Sequence, residues 1–208
     1  MKKTILLILL FVVIKSSYSQ EITHSATLTD KDSVLIKNNQ NYIAATIVGS
    51  GAELVKVEKE KLMKAQLEER GLKLNAIEGI TIQTVHNNKY PDFIATVQND
   101  VLFKFNSIEL SDKALTILEK LNGIIAEMPG TKIKIIGHTD NVGEKDYNDL
   151  LSKNRASSVG NYFRNAGIEN QLIEEIGKGF AEPVASNKSE SGRSKNRRVE
   201  ITLSTPEA

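Results

Sequence analysis

Between Ala95 and Leu203 the spacing of apolar residues switches repeatedly between the two-residue period of a strand and the three-to-four-residue period of a helix, and the order of the switches leaves few folds open. Ala95, Val97, Val101, Phe103 and Phe105 occupy odd positions of a segment interrupted at Asn99-Asp100, which predicts two short strands or one with a bulge. Ser111 then caps a helix that carries Ala114, Leu118, Leu121, Ile125 and Met128 on one face, and Pro129-Gly130 stops it. Residues 132–136 alternate basic and apolar side chains, as a half-buried strand does. A polar loop over 138–146 leads into a second helix, about 148–166, expected to bury Leu151, Val159, Tyr162, Phe163 and Ala166 and to end at Gly167. Residues 172–177 predict another strand. Val199, Ile201 and Leu203, alternating with Arg198, Glu200 and Thr202, predict the last. Strand, helix, strand, helix, strand, strand reads as an α/β (α+β) two-layer sandwich: a mixed sheet with two main helices on one face.

What precedes this region is different in kind. Lys2 and Lys3 stand before an uninterrupted apolar run over 5–14, and Ser17 and Ser19 supply small residues at cleavage spacing, so residues 1–19 read as a secretory signal peptide. The run is well short of the ~20 residues that span a bilayer, which disfavours a membrane anchor. Residues 20–74 form a small N-terminal region of unassigned role. It has a turn at Asn38-Asn39-Gln40-Asn41, a strand over 42–48, a break at Gly49-Ser50-Gly51, and a helix over 52–70 capped by Gly71. The apolar stripe of that helix is narrow, so its charges read as a solvated face or, alternatively, as a partner-binding surface. Residues 75–94 are expected to connect it to a domain over 95–204.

Charge and cysteine content remove several function classes. Cleavage after Ser19 takes away Lys2, Lys3 and Lys15 and no acids, leaving 24 basic against 26 acidic residues, a balance that argues against nucleic acid as a partner. The chain has no cysteine, hence no disulfide, thiolate metal site, thiol nucleophile or lipidated N-terminal cysteine. His138 stands two residues from Asp140, but His24 and His86 lie in another region and complete no zinc ligand set, so no metal and no cofactor are expected. A transmembrane segment is not expected in the exported chain, because no second apolar run approaches bilayer length.

The polar loop reads Gly137-His138-Thr139-Asp140-Asn141-Val142-Gly143, and the helix after it presents Asn148, Leu151, Ser152, Arg155 and Ala156. The last strand opens with Asn196-Arg197-Arg198-Val199-Glu200-Ile201, and the first region holds Val101-Leu102-Phe103-Lys104-Phe105-Asn106-Ser107 followed by Leu110-Ser111. In this order the segments resemble the signature of OmpA-like domains, found in OmpA C-terminal regions, Pal lipoproteins and flagellar stator proteins. The resemblance covers roughly residues 95–203, about half the chain. It implies noncovalent binding of peptidoglycan through the diaminopimelate of its stem peptide. The family's Thr-Asp aspartate falls on Asp140 and its helix arginine on Arg155.

The chemistry of those two residues agrees with that implication. A diaminopimelate head group has an ammonium and a carboxylate side by side; Asp140 suits the first, and the planar guanidinium of Arg155 suits the second. The same two residues would also make an ordinary loop-fixing ion pair, which a ligand would have to open. Secondary candidates are Phe105, Asn106, Thr139, Asn141, Asn148, Arg197 and Arg198. Asn106 stands where the family usually has an acid. Asn148 reads equally as a helix cap or a ligand contact, and strand alternation does not tell whether Arg197 or Arg198 reaches the ligand. Tyr147 is placed to stack on sugar, whereas Tyr162 and Phe163 fall on the buried helix face.

Three functions follow as alternatives. One is a wall-binding module in the periplasm, associated with the cell wall or the outer membrane. A second is a structural adaptor whose N-terminal region binds an outer-membrane or secretion partner. The third, an envelope hydrolase, lacks an activated nucleophile, since neither Ser107 nor Ser111 has a base beside it.

Overall fold

The computed structural model describes residues 13–14, 22–23, 26–29, 33–37, 42–46, 51–86, 89–105 and 107–205. The expected signal peptide, the turn at 38–41 and Asn106 thus lie wholly or largely outside the described residues. The chain divides into two compact units, Met1–Gln66 and Leu67–Ala208.

In the first unit β1 (Val13–Ile14) pairs antiparallel with β2 (Ile22–Thr23). A separate antiparallel meander joins β3 (Ala26–Thr29), β4 (Ser33–Lys37) and β5 (Tyr42–Thr46). Helix α1 (Gly51–Asn75) begins here and carries on five residues past the stop expected at Arg70. Gly71 does not cap it. The position lies inside the helix, where a Cβ would come 3.3 Å from the Phe93 ring, so the glycine serves close packing rather than termination. The end of α1 belongs to the second unit: Leu67, Arg70 and Leu74 are buried, and Arg70 Nη2 donates to the Ile124 carbonyl at 3.2 Å.

The second unit is built on a five-stranded mixed sheet. In chain order its strands are β6 (Thr81–Val85), β7 (Asp92–Gln98), β8 (Lys132–Gly137), β9 (Ile173–Gly177) and β10 (Arg198–Ser204), and in space they run β6-β7-β10-β8-β9. Only β8 and β9 are parallel. The last strand therefore lies at the centre, with Val199, Ile201 and Leu203 opposite Val97, Ala95 and Phe93 on one side and Gly137, Ile135 and Ile133 on the other. These apolar residues are buried while Lys132 and Lys134 on the other face are exposed, so one face carries the core. Strand β6 falls in the segment read as a connector. It is an edge strand of mostly exposed Thr and Gln, which gives no alternation to read.

Further helical segments precede the site-bearing helix and follow it. The interruption at Asn99-Asp100 is neither a second strand nor a bulge but a single helical turn, α2 (Asn99–Leu102). The Asn99 amide donates to the Arg197 carbonyl at 2.9 Å and its side chain to the His138 carbonyl at 3.2 Å, bonds that draw the chain away from an extended path. Helix α3 (Asp112–Ala126) is capped by Ser111, whose Oγ accepts from the Ala114 amide at 3.0 Å. Helix α4 (Lys145–Asn165) packs on β8 and β9 and buries Val159 and Phe163, but Ala166, just beyond its end, is exposed. The short α5 (Glu190–Asn196) was not expected from the apolar pattern, since only Gly192 and Asn196 of it are buried.

Candidate functional site

Strand β8 ends in a glycine for a steric reason. A Cβ on Gly137 would overlap the carbonyl of Ser152, and one on Gly177 would lie 2.5 Å from the Lys153 amide nitrogen, so α4 crosses the ends of β8 and β9 at backbone contact. This close crossing brings Arg155 over the loop that leaves β8. The loop itself is tied at several points. His138 and Thr139 donate their amides to the carbonyls of Arg198 and Gly179, at 2.9 and 2.8 Å. Asp140 Oδ1 accepts from the Val142 amide at 3.0 Å, and Gly143 takes φ of 91°, a left-handed conformation. Asn148 lies inside α4, not at its cap, and its Nδ2 donates to the carbonyls of Val142 at 2.9 Å and Glu144 at 3.1 Å.

Between this loop, α4 and α5 is a cavity of about 430 Å³ lined by Thr139, Asp140, Val142, Tyr147, Asn148, Leu151, Arg155, Glu190, Arg193 and Arg197. Of the sequence candidates it brings together Asp140, Arg155, Thr139, Asn148 and Arg197. Asn141 is exposed outside the lining, Phe105 is fully exposed on the loop before α3, and Arg198 turns away to Glu200, 2.7 Å. Sequence reading did not single out Glu190 and Arg193. Their spacing of three and then four residues to Arg197, after Ser189 as a cap, is the helical signal that would have found them.

The charges in the cavity are unevenly matched. Asp140, 8% exposed, pairs with Arg197 Nη1 at 2.7 Å rather than with Arg155. Arg197 Nη2 reaches Glu190 at 2.8 Å, and Arg193 pairs with Glu190 at 2.7 Å. The bond to Asp140, and then that to Glu190, raises the pKa of Arg197, while Arg197 and Arg193 lower that of Glu190. Three guanidiniums thus face two carboxylates, and among the described residues Arg155 is the lining cation that pairs with neither.

Arg155 is 9% exposed, its guanidinium carbon lies 5.3 Å from the Phe103 ring centre, and its Nε has no hydrogen-bond partner among the described residues. Burial is the main cause of its lowered pKa, with Arg197 acting the same way. A second buried atom without a partner among the described residues, Thr139 Oγ1, belongs to the same lining. Such a cleft can hold a ligand carboxylate on Arg155 and an ammonium on the free lone pairs of Asp140. His138 is buried behind the loop with Nε2 3.8 Å from Glu200 Oε1, and among the described residues no group of three or more His, Asp or Glu could hold a metal ion. No helix among them is long and apolar enough to cross a membrane.

Residues 102–197 match the model of the OmpA family. The chain is 41% identical to the outer-membrane lipoprotein YfiB of Pseudomonas aeruginosa over 51% of this chain and 64% of that one. It is 33% identical to a lipoprotein of the same name from Escherichia coli over 55% of this chain and 72% of that one. The chain therefore spans about two thirds of the length of these relatives. Among solved structures it resembles the cell wall anchor of the T6SS from Pseudomonas aeruginosa, with a TM-score of 0.54 and 26% identity over 62% of this chain and 90% of that one.

Proposed function

We propose that this chain, which belongs to the OmpA family, holds peptidoglycan noncovalently in the cleft of Asp140 and Arg155 and so anchors itself to the cell wall. The observation that carries the reading is the buried guanidinium of Arg155, paired with no carboxylate among the described residues, in a cavity that also holds the buried Asp140. Leaving a charge so placed without a partner is costly, and a ligand carboxylate is the group that offsets the cost. The ligand we assign is the diaminopimelate of the stem peptide, its carboxylate on Arg155 and its ammonium on Asp140. The resemblance to a solved cell wall anchor supports the wall as the partner. Binding alone is the activity, and it puts the protein in the periplasm against the wall or the outer membrane.

The test is sedimentation of the exported chain, residues 20–208, with purified insoluble peptidoglycan. Two charge-assisted contacts of about 1.5 to 3 kcal/mol each predict at least a roughly tenfold loss of affinity for Asp140→Ala and for Arg155→Ala, with folding intact. Wild-type protein that stays in solution, or variants that sediment as well as wild type, would end this reading.

A further inference from the structure

Glu190 lies outside the Asp140 and Arg155 pair, yet it contacts the other two cations of the cleft. Its Oε1 accepts from Arg197 Nη2 at 2.8 Å, and its Oε2 accepts from Arg193 Nη2 at 2.7 Å and Nε at 3.0 Å. Arg197 is therefore shared: one Nη on the exposed Glu190, the other 2.7 Å from the buried Asp140. The sharing has an effect on charge and one on geometry. Asp140, Arg197, Glu190 and Arg193 together are neutral, whereas without the Glu190 charge the Asp140 side of the cleft would hold two guanidiniums against one carboxylate. Freed from Glu190, the fork of Arg197 could also close on Asp140 with both arms and occupy the lone pairs an ammonium needs. One of the Asp140 oxygens already accepts from the Val142 amide, so few positions remain. Both effects weaken the ammonium side of the cleft. Neither weakens the carboxylate side at Arg155.

We propose that Glu190 is a positioning residue for ligand selectivity: by holding Arg193 and Arg197 it keeps Asp140 open to an ammonium, so the cleft prefers a zwitterionic amino-acid head group to a plain carboxylate. This rests on the peptidoglycan reading above. The experiment titrates the full exported chain, by NMR, with meso-diaminopimelate and with pimelate, the same seven-carbon dicarboxylate without amino groups. Wild type, Glu190→Gln and Glu190→Asp are compared, with melting curves as a check on folding.

In Glu190→Gln the ratio of diaminopimelate to pimelate affinity falls about threefold to fivefold, the scale of an exposed ion pair, while pimelate binds as well as before or better. Glu190→Asp, which keeps the charge, holds the ratio within about twofold of wild type. An unchanged ratio in Glu190→Gln, an equal loss for both ligands, or Glu190→Asp behaving like Glu190→Gln overturns the proposal and leaves wall binding standing. Wild type that binds neither ligand nor peptidoglycan overturns both.

Discussion

The ring of His138 is 1% exposed, and neither of its nitrogens has a hydrogen-bond partner among the described residues. Burial, and next the nearby Arg198 charge, lower its pKa to about 4; Glu200 and Glu182 oppose the shift only in part. The folded state therefore resists protonation that the unfolded chain accepts from about pH 6.5 downwards. Stability from this residue is fully present above pH 6.5, declines as pH falls through the window to about 4, and levels off below it. The loss is on the order of 3 kcal/mol. An NMR titration of the His138 ring should show a midpoint near 4, and urea midpoints should fall more steeply across that window than in His138→Gln. A ring that titrates near 6.5 would contradict this. From sequence, His138 beside Asp140 completed no metal ligand set, but its depth could not be read, because burial is not written into a loop motif. The same holds for Arg197 and Arg198. Their adjacency was legible, but their opposite directions were set by Asp140 on one side and Glu200 on the other.

At the level of elements, the site depends on how closely α4 crosses the sheet. Gly137→Ala sets a methyl against the Ser152 carbonyl, a backbone atom with no freedom to move aside, and should cost about 3 kcal/mol or more in urea denaturation. Gly123, inside α3, meets nothing within 4 Å, and Gly123→Ala should instead stabilise by roughly 0.5 to 1 kcal/mol. Equal effects at the two positions would refute the close crossing. The periodic elements, α3, α4, β8 and β10, were readable because each buries one face against the same core. Strand β6 and helix α5 bury little, and α2 is set by the hydrogen bonds of Asn99 to distant carbonyls, so none of the three leaves a periodic trace.

For the whole molecule, the informative boundary is the one inside α1. The second unit begins at Leu67, and the last turns of the helix belong to it through buried Leu67 and Leu74, the Arg70 bond to Ile124, and Lys73 held 2.9 Å from Glu127, with buried Ile77 just past the helix end. A chain that starts at Leu67 should unfold with the same urea midpoint as this unit in the full chain. One that starts at Gly79 should lose about 4 kcal/mol or more, since each buried aliphatic side chain contributes roughly 1.5 to 3 kcal/mol. Identical midpoints for the two would show that the helix end adds nothing. The amino-acid sequence by itself determined the two-layer sandwich, because hydrophobic period is a local property, and its resemblance to OmpA-like domains put forward the candidate pair Asp140 and Arg155. Tertiary structure alone decided that Asp140 rests on Arg197, that Glu190 and Arg193 complete the cleft, and that Arg155 pairs with no carboxylate among the described residues. Those outcomes depend on which charges three separate segments bring within about 3 Å of one another, and Coulomb interactions at that range follow from distance in space rather than along the chain.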